Sequence, residues 1–289
     1  MNNSRCISIL VIIISILSSW AGSMGILSPD PVDGKEHISI RGERIEIYGA
    51  GIYRQMSSKV AVQGIAQDYV TIFLGVPLLL ISLFLAVKGS LKGRFMLAGT
   101  VLYFLVTYLF YLCMAMYNEF FLVYAILIGS SFFCLLMILS NFELNNLKQR
   151  FSTQAPVRFS GYFLIVNSIL IALLWLKVVL PPLLDGSVYP QQLEHYTTLI
   201  VQGLDLGLML PLTFISGVLL IKRTGWGLMA GLVFLIFLSL LMTALTAKLI
   251  GMYNFGANVM PAIIIIPIID LIAIFCSIVM LNQIKKVQN

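Results

Sequence analysis

Three aspartates stand in or beside long apolar stretches, where a carboxylate needs a partner, water or a proton. Asp270 is the deepest. It follows the outer end of the last apolar run by about ten residues, which places it ~15 Å down at 1.5 Å per residue. Insertion scales put the cost of an Asp near the bilayer midplane at roughly 2.5–3.5 kcal/mol. Pro267 leaves the Ile263 carbonyl without its helical donor, so a kink can bring an acceptor nearby. Asp270 therefore reads either as a proton or cation site or as an acid bonded to a neighbouring helix. Asp205, roughly 9 Å inside its own run, has Gly203 and Gly207 beside it and Pro211 beyond, and small neighbours let helices approach closely. Asp68, with Gln67, occupies the mouth of a third run. There it reads as a binding group or as a charge complementing a helix N-terminus.

Lys177 and Lys248 lie in the outer parts of two further runs. Snorkelling to the headgroups suffices for Lys248, whereas Lys177 is deeper and is expected to pair with Asp205 or Glu119. Tyr103 and Thr107, four residues apart, project from one helical face at a depth where belt tyrosines are not expected; Tyr108 and Tyr111 share that run. The expected binding or relay groups are thus Asp270, Asp205, Lys177, Asp68, Gln67 and Gln202. Tyr103, Thr107, Asn118, Glu119, Asn167 and Asn254 are expected to line the same pocket. Most lie in the outer half of the membrane, so the pocket should open outward.

The elements that position them follow from composition. Apolar residues make up 60% of the 289 and charged residues 10%, against about 25% charged in soluble domains. Mean hydropathy is +0.99. Apolar runs of about 20 residues recur, each long enough to cross roughly 30 Å of hydrocarbon as a helix. Alternating ten-residue segments that would signal a barrel are missing. An all-α polytopic bundle is expected, with spans near Cys6–Leu27, Tyr69–Val87, Phe95–Met116, Phe120–Ser140, Gly161–Leu180, Leu199–Ile221, Trp226–Ile250 and Pro261–Leu281.

Basic residues set the topology. Lys88, Lys92 and Arg94 follow the second span, Lys148, Arg150 and Arg158 the fourth, Lys222 and Arg223 the sixth, and Lys285 and Lys286 the last. These ends should be cytoplasmic, as should both termini, in a prokaryotic inner membrane. Residues 1–27 form the first span, or alternatively a signal peptide cleaved after Ala21-Gly22-Ser23. Residues 28–68 form an extracytoplasmic segment. In it, Ile38, Ile40, Ile45 and Ile47 alternate around Arg41-Gly42-Glu43 as in a hairpin, and residues from Ser57 lead into the second span as a helix. Spans two to four (69–140), a cytoplasmic loop (141–160) and spans five to eight (161–289) follow.

The two halves resemble each other. Pro77 is followed by Lys88 and Pro211 by Lys222, eleven residues on in both cases. Met116-Tyr117-Asn118 and Met252-Tyr253-Asn254 close the third and seventh spans. The pattern reads as a tandem repeat of four spans, whose even count gives both copies one orientation about an axis along the membrane normal.

Several chemistries are excluded. The net charge of +6 is dispersed in short clusters and forms no basic face for nucleic acid. The only histidines, His37 and His195, lie in outer segments and cannot ligate intramembrane haem. Cys6, Cys113, Cys134 and Cys276 all fall in apolar runs. Phosphate-loop, His-Glu-x-x-His and Gly-x-Ser-x-Gly motifs are lacking, so no cofactor, metal or catalytic residue is expected. An intramembrane acid/base pair of Asp205 and Asp270 is the least favoured reading. The leading expectation is a transporter-like protein with a pocket for a small solute, cation or proton. The alternative is a membrane sensor or assembly partner docking through residues 28–68. No motif places the chain in a named family.

Overall fold

The computed structural model describes residues 3–32 and 34–285; Lys286 lies outside them. Eight helices are long and apolar enough to cross a membrane, and the chain is an all-α multipass membrane bundle. They are α1 (Ser4–Ile26), a helix built from α2 (Ser58–Val70) and α3 (Val76–Val87), α4 (Leu91–Met114) and α5 (Phe121–Ser140). After a short α6 (Leu144–Arg150) come α7 (Val157–Val179) with its appendage α8 (Pro181–Asp185), a helix built from α9 (Ile200–Leu204) and α10 (Leu210–Ile221), α11 (Gly225–Asn254) and α12 (Ala262–Asn282). The apolar residues left exposed, such as Phe73, Phe84, Leu173 and Leu271, form the faces that meet lipid.

Two helices form the centre. In α4 and α11, 67% and 72% of the apolar window is buried, against at most 39% in the other six. Both carry apolar residues around most of their circumference, as a helix surrounded by helices must. They pack directly on each other at Gly99, where a β-carbon would stand 2.6 Å from Ile236 and 3.0 Å from the Val233 carbonyl. Each carries its neighbours: α3 and α5 flank α4, and α10 and α12 flank α11.

Both composite helices contain a five-residue π-turn, Thr71–Gly75 and Asp205–Met209. Each turn is followed by a twelve-residue helix with proline at its second position, Pro77 or Pro211. The physical reason is shared: proline lacks an N–H and its ring clashes with the carbonyl four residues back, and a widened turn relieves both. The correspondence, 134 residues from Thr71 to Asp205, continues beyond the helices. Gly89 and Arg223 both take left-handed conformations, with φ of 86° and 51°. The Ser90 and Thr224 hydroxyls then cap α4 and α11 by accepting from the Gly93 and Gly227 N–H groups. The Met-Tyr-Asn tripeptides do not share this register. Met116 is left-handed and Asn118 lies in a turn, whereas Met252–Asn254 are the last helical residues of α11.

At the end remote from the Lys/Arg clusters, β1 (Glu36–Ile38) and β2 (Arg44–Glu46) form an antiparallel hairpin with His37 opposite Ile45. Its tip rests on the segment before α9. The Arg41 guanidinium donates to the Glu194 and Tyr196 carbonyls at 3.3 and 3.1 Å and stacks over Tyr189. A two-stranded ribbon is marginal alone, and this contact anchors it. At the basic end the chain after α6 pairs with the end of α12: Ser152 N–H donates to Gln283 and Lys285 N–H to Arg150, both at 2.9 Å.

Candidate functional site

The largest connected group of buried polar side chains lies between α1, α2 and α4, around Asp68. This carboxylate is 1% exposed. Tyr53 donates to its Oδ2, and the Tyr111 hydroxyl lies 3.0 Å from its Oδ1. The same Tyr111 hydroxyl is 2.9 Å from the Gly64 carbonyl. Gly22 and Gly25 of α1 make the space, since a β-carbon on Gly25 would collide with the carboxylate. Tyr53 arrives from a short 3-10 turn, Gly51–Tyr53, and its ring fills the hollow over Gly64. Burial first, and then the Asp68 charge, hold the Tyr53 phenol well above its ordinary pKa, so it stays a donor.

One residue earlier, Gln67 points across to α4. Its Nε2 donates to the Tyr103 hydroxyl at 2.6 Å and the Thr107 hydroxyl at 3.3 Å, while Thr71 lies 3.0 Å from Tyr103. The Gln67 Oε1 is buried without a partner among the described residues. Thr71 belongs to the π-turn, whose wider pitch lets Gln67, Asp68 and Thr71 all face inward.

Lys248 is the cation of this region. It is partly buried on α11, which packs on α2 where Gly251 meets Val62 and Ala66. Lys248 lies one turn before Gly251; its charge and those of Asp68 and Asp205 act on one another, with no ion pair between them among the described residues. The snorkelling expected of Lys248 is therefore corrected: α11 is central, so this face of it meets protein. The pairing expected of Lys177 is corrected as well. Lys177 is exposed on α7, Asp205 accepts from the Trp175 indole at 2.8 Å, and Glu119 pairs with Arg54 at 2.6 Å.

The remaining predicted residues are scattered. Asp270 on α12 accepts from Thr243 of α11 at 3.1 and 3.2 Å. Among the described residues Asp270 and Asp205 have separate hydrogen-bond partners, Thr243 and Trp175, and share none. Asn118 organises its own turn by accepting from the Phe120 N–H at 2.8 Å. Asn167 is buried on α7 with its side-chain oxygen unpartnered among the described residues, Gln202 is half-buried and Asn254 exposed. Of the predicted set, Gln67, Asp68, Tyr103 and Thr107 come together. Tyr53 and Thr71 were missed: Tyr53 lies in the aqueous segment, and Thr71 is unremarkable in an apolar run.

Beside the cluster is a cavity of about 300 Å³ between Met24 of α1, Leu27 and Ser28 just after it, and the Gly51–Ile52 turn, with Phe120 beside it. Arg54 and Glu119 form an ion pair across its rim. Tyr53 and Gly25, which meet the Asp68 carboxylate, are each next in sequence to a residue lining the cavity.

No family model, curated protein or solved structure matches this chain. The class defined by fold and site is a multipass helical membrane protein with a buried polar cluster around one carboxylate at one end of its first half.

Proposed function

We propose that this chain is a transporter-like protein of a prokaryotic inner membrane, with both ends cytoplasmic, in which an outward-facing pocket delivers a cation or proton to Asp68. In this reading the first helix is retained, which its Gly22 and Gly25 packing against the site supports. The halves are two copies of one four-span unit, supported by the matching π-turns, prolines and caps. The contact of Gly99 with Val233, 134 residues on, is what a two-fold axis between α4 and α11 requires. Asp68 takes the role that the isolated Asp270 and Asp205 do not share.

The observation carrying this reading is the Tyr111 hydroxyl, which has one proton and two acceptors. With Asp68 ionised, Tyr111 donates to the carboxylate. With Asp68 protonated, the acid donates to Tyr111, which turns its own proton to Gly64. Both charge states leave the buried groups paired, which a site that loads and unloads a proton needs. Lys248 supplies a positive charge that an entering cation can replace.

The test is uptake into reconstituted vesicles across a panel of solutes and cations, with and without a proton gradient. Gradient-dependent flux of at least one is expected; no flux for any of them counts against the proposal.

A second reading, a sensor or assembly partner docking through residues 28–68, is favoured by the hairpin's apolar tip, where Ile38 is 65% and Ile40 94% exposed. Replacing both with Asp should then abolish co-purification of a membrane partner while leaving the helices folded, and no gradient-dependent flux is expected of any variant.

A further inference from the structure

The basic end holds a second feature, unconnected with Asp68. A cavity of about 430 Å³ lies between the α3–α4 turn and the strand-like pairing of residues 150 and 285. Lys88, Lys92, Arg150 and Lys285 line it, with no acidic side chain in its wall. Leu91 and Ile284 supply an apolar side. None of the four cations makes an ion pair among the described residues. The Lys88 ammonium lies 4.0 Å from the centre of the Phe84 ring, and Lys92 reaches the Asn282 side-chain oxygen at 3.4 Å. Backbone pairing fixes Arg150 beside Lys285, so like charges are held together and cannot simply move apart.

The corresponding corner of the second half is closed by the chain itself. There Arg223, 134 residues beyond Gly89, donates to the Ser152 and Thr153 carbonyls at 2.6 and 2.8 Å. The Leu144 backbone covers Gly225, the counterpart of Leu91. Among the described residues nothing covers the first corner in that way, and its level at the ends of α3, α4 and α12 is that of lipid headgroups.

We propose that this cavity binds the phosphate of an anionic phospholipid, with the ammonium and guanidinium groups on the phosphate oxygens and Leu91 and Ile284 against the glycerol and upper acyl chain. The phosphate neutralises charges that the protein leaves unpaired, and the apolar wall selects a lipid over a free anion.

The test uses full-length protein, delipidated in neutral detergent, with native mass spectrometry and thermal unfolding as readouts. Three ligands are compared: phosphatidylglycerol, phosphatidylcholine and inorganic phosphate. One tightly held phosphatidylglycerol per chain and a raised melting temperature are expected. Lys92→Ala with Lys285→Ala should weaken that binding by about thirtyfold. A Lys59→Ala variant, changed at the opposite end, controls for overall charge and should bind as wild type. Equal retention of phosphatidylcholine, undiminished binding by the double variant, or inorganic phosphate binding as tightly as the lipid would each overturn the assignment.

Discussion

The Asp68 carboxylate occupies the space that a β-carbon on Gly25 would need. The first helix and the polar cluster are therefore fitted to each other, and the absence of one side chain permits a carboxylate, two phenols and a helix crossing to share the outer end of the bundle. Gly25→Ala should destabilise the protein by about 1–3 kcal/mol, the usual cost of overpacking, read as a lowered melting temperature in detergent. Gly203→Ala, where nothing lies within 4 Å, should be neutral or slightly stabilising.

Tyr53 and Tyr111 serve one acceptor from two sides. Each Tyr→Phe change should cost about 1–3 kcal/mol of stability by leaving buried polar groups short of a partner. The double variant should depart from additivity, because both phenols act on Asp68. Chemical or thermal unfolding of the four proteins tests this; strict additivity would argue that the two contacts are independent.

Lys248 should matter more than Lys177. Lys248→Met removes the positive charge facing Asp68 and Asp205 and should lower both stability and flux, whereas Lys177→Met on the exposed face of α7 should change little. Adding Asp68→Asn to Lys248→Met should restore part of the lost stability, since it removes the uncompensated carboxylate. It should not restore flux.

The rim pair makes a weaker prediction. Arg54 and Glu119 are 47% and 57% exposed, so their contact contributes little to stability. The Glu119 backbone N–H, and then Arg54, hold the Glu119 carboxyl below its ordinary pKa. A depressed carboxyl pKa gives a contribution present above the unfolded value and lost as pH falls through the folded one. Glu119→Gln should thus mimic acid, speeding access from outside by a few-fold at most. Labelling of a cysteine placed at Ser28, within the cavity, measures it.

The eight helices were legible because an apolar run of about 20 residues has few other fates. Gln67, Asp68, Tyr103 and Thr107 were legible as polar residues in expensive places. Which of them meet was not. Depth along a helix follows from counting residues, but the direction a side chain faces depends on neighbouring helices, and apolar residues surround most of α11. Lys248 therefore looked like a snorkelling lysine, and Asp205 and Asp270 looked like partners. Tyr53 reaches Asp68 only because Gly51 turns the chain with φ of 57°, a feature of the backbone that no periodicity announces.

Gradient-driven flux through wild type, Asp68→Asn and Asp270→Asn in identical vesicles tests the central claim most directly. The account predicts that Asp68→Asn loses at least about tenfold of the rate, or roughly 1.4 kcal/mol, while Asp270→Asn keeps most of it. Full flux in Asp68→Asn, or the opposite order of the two variants, would contradict it.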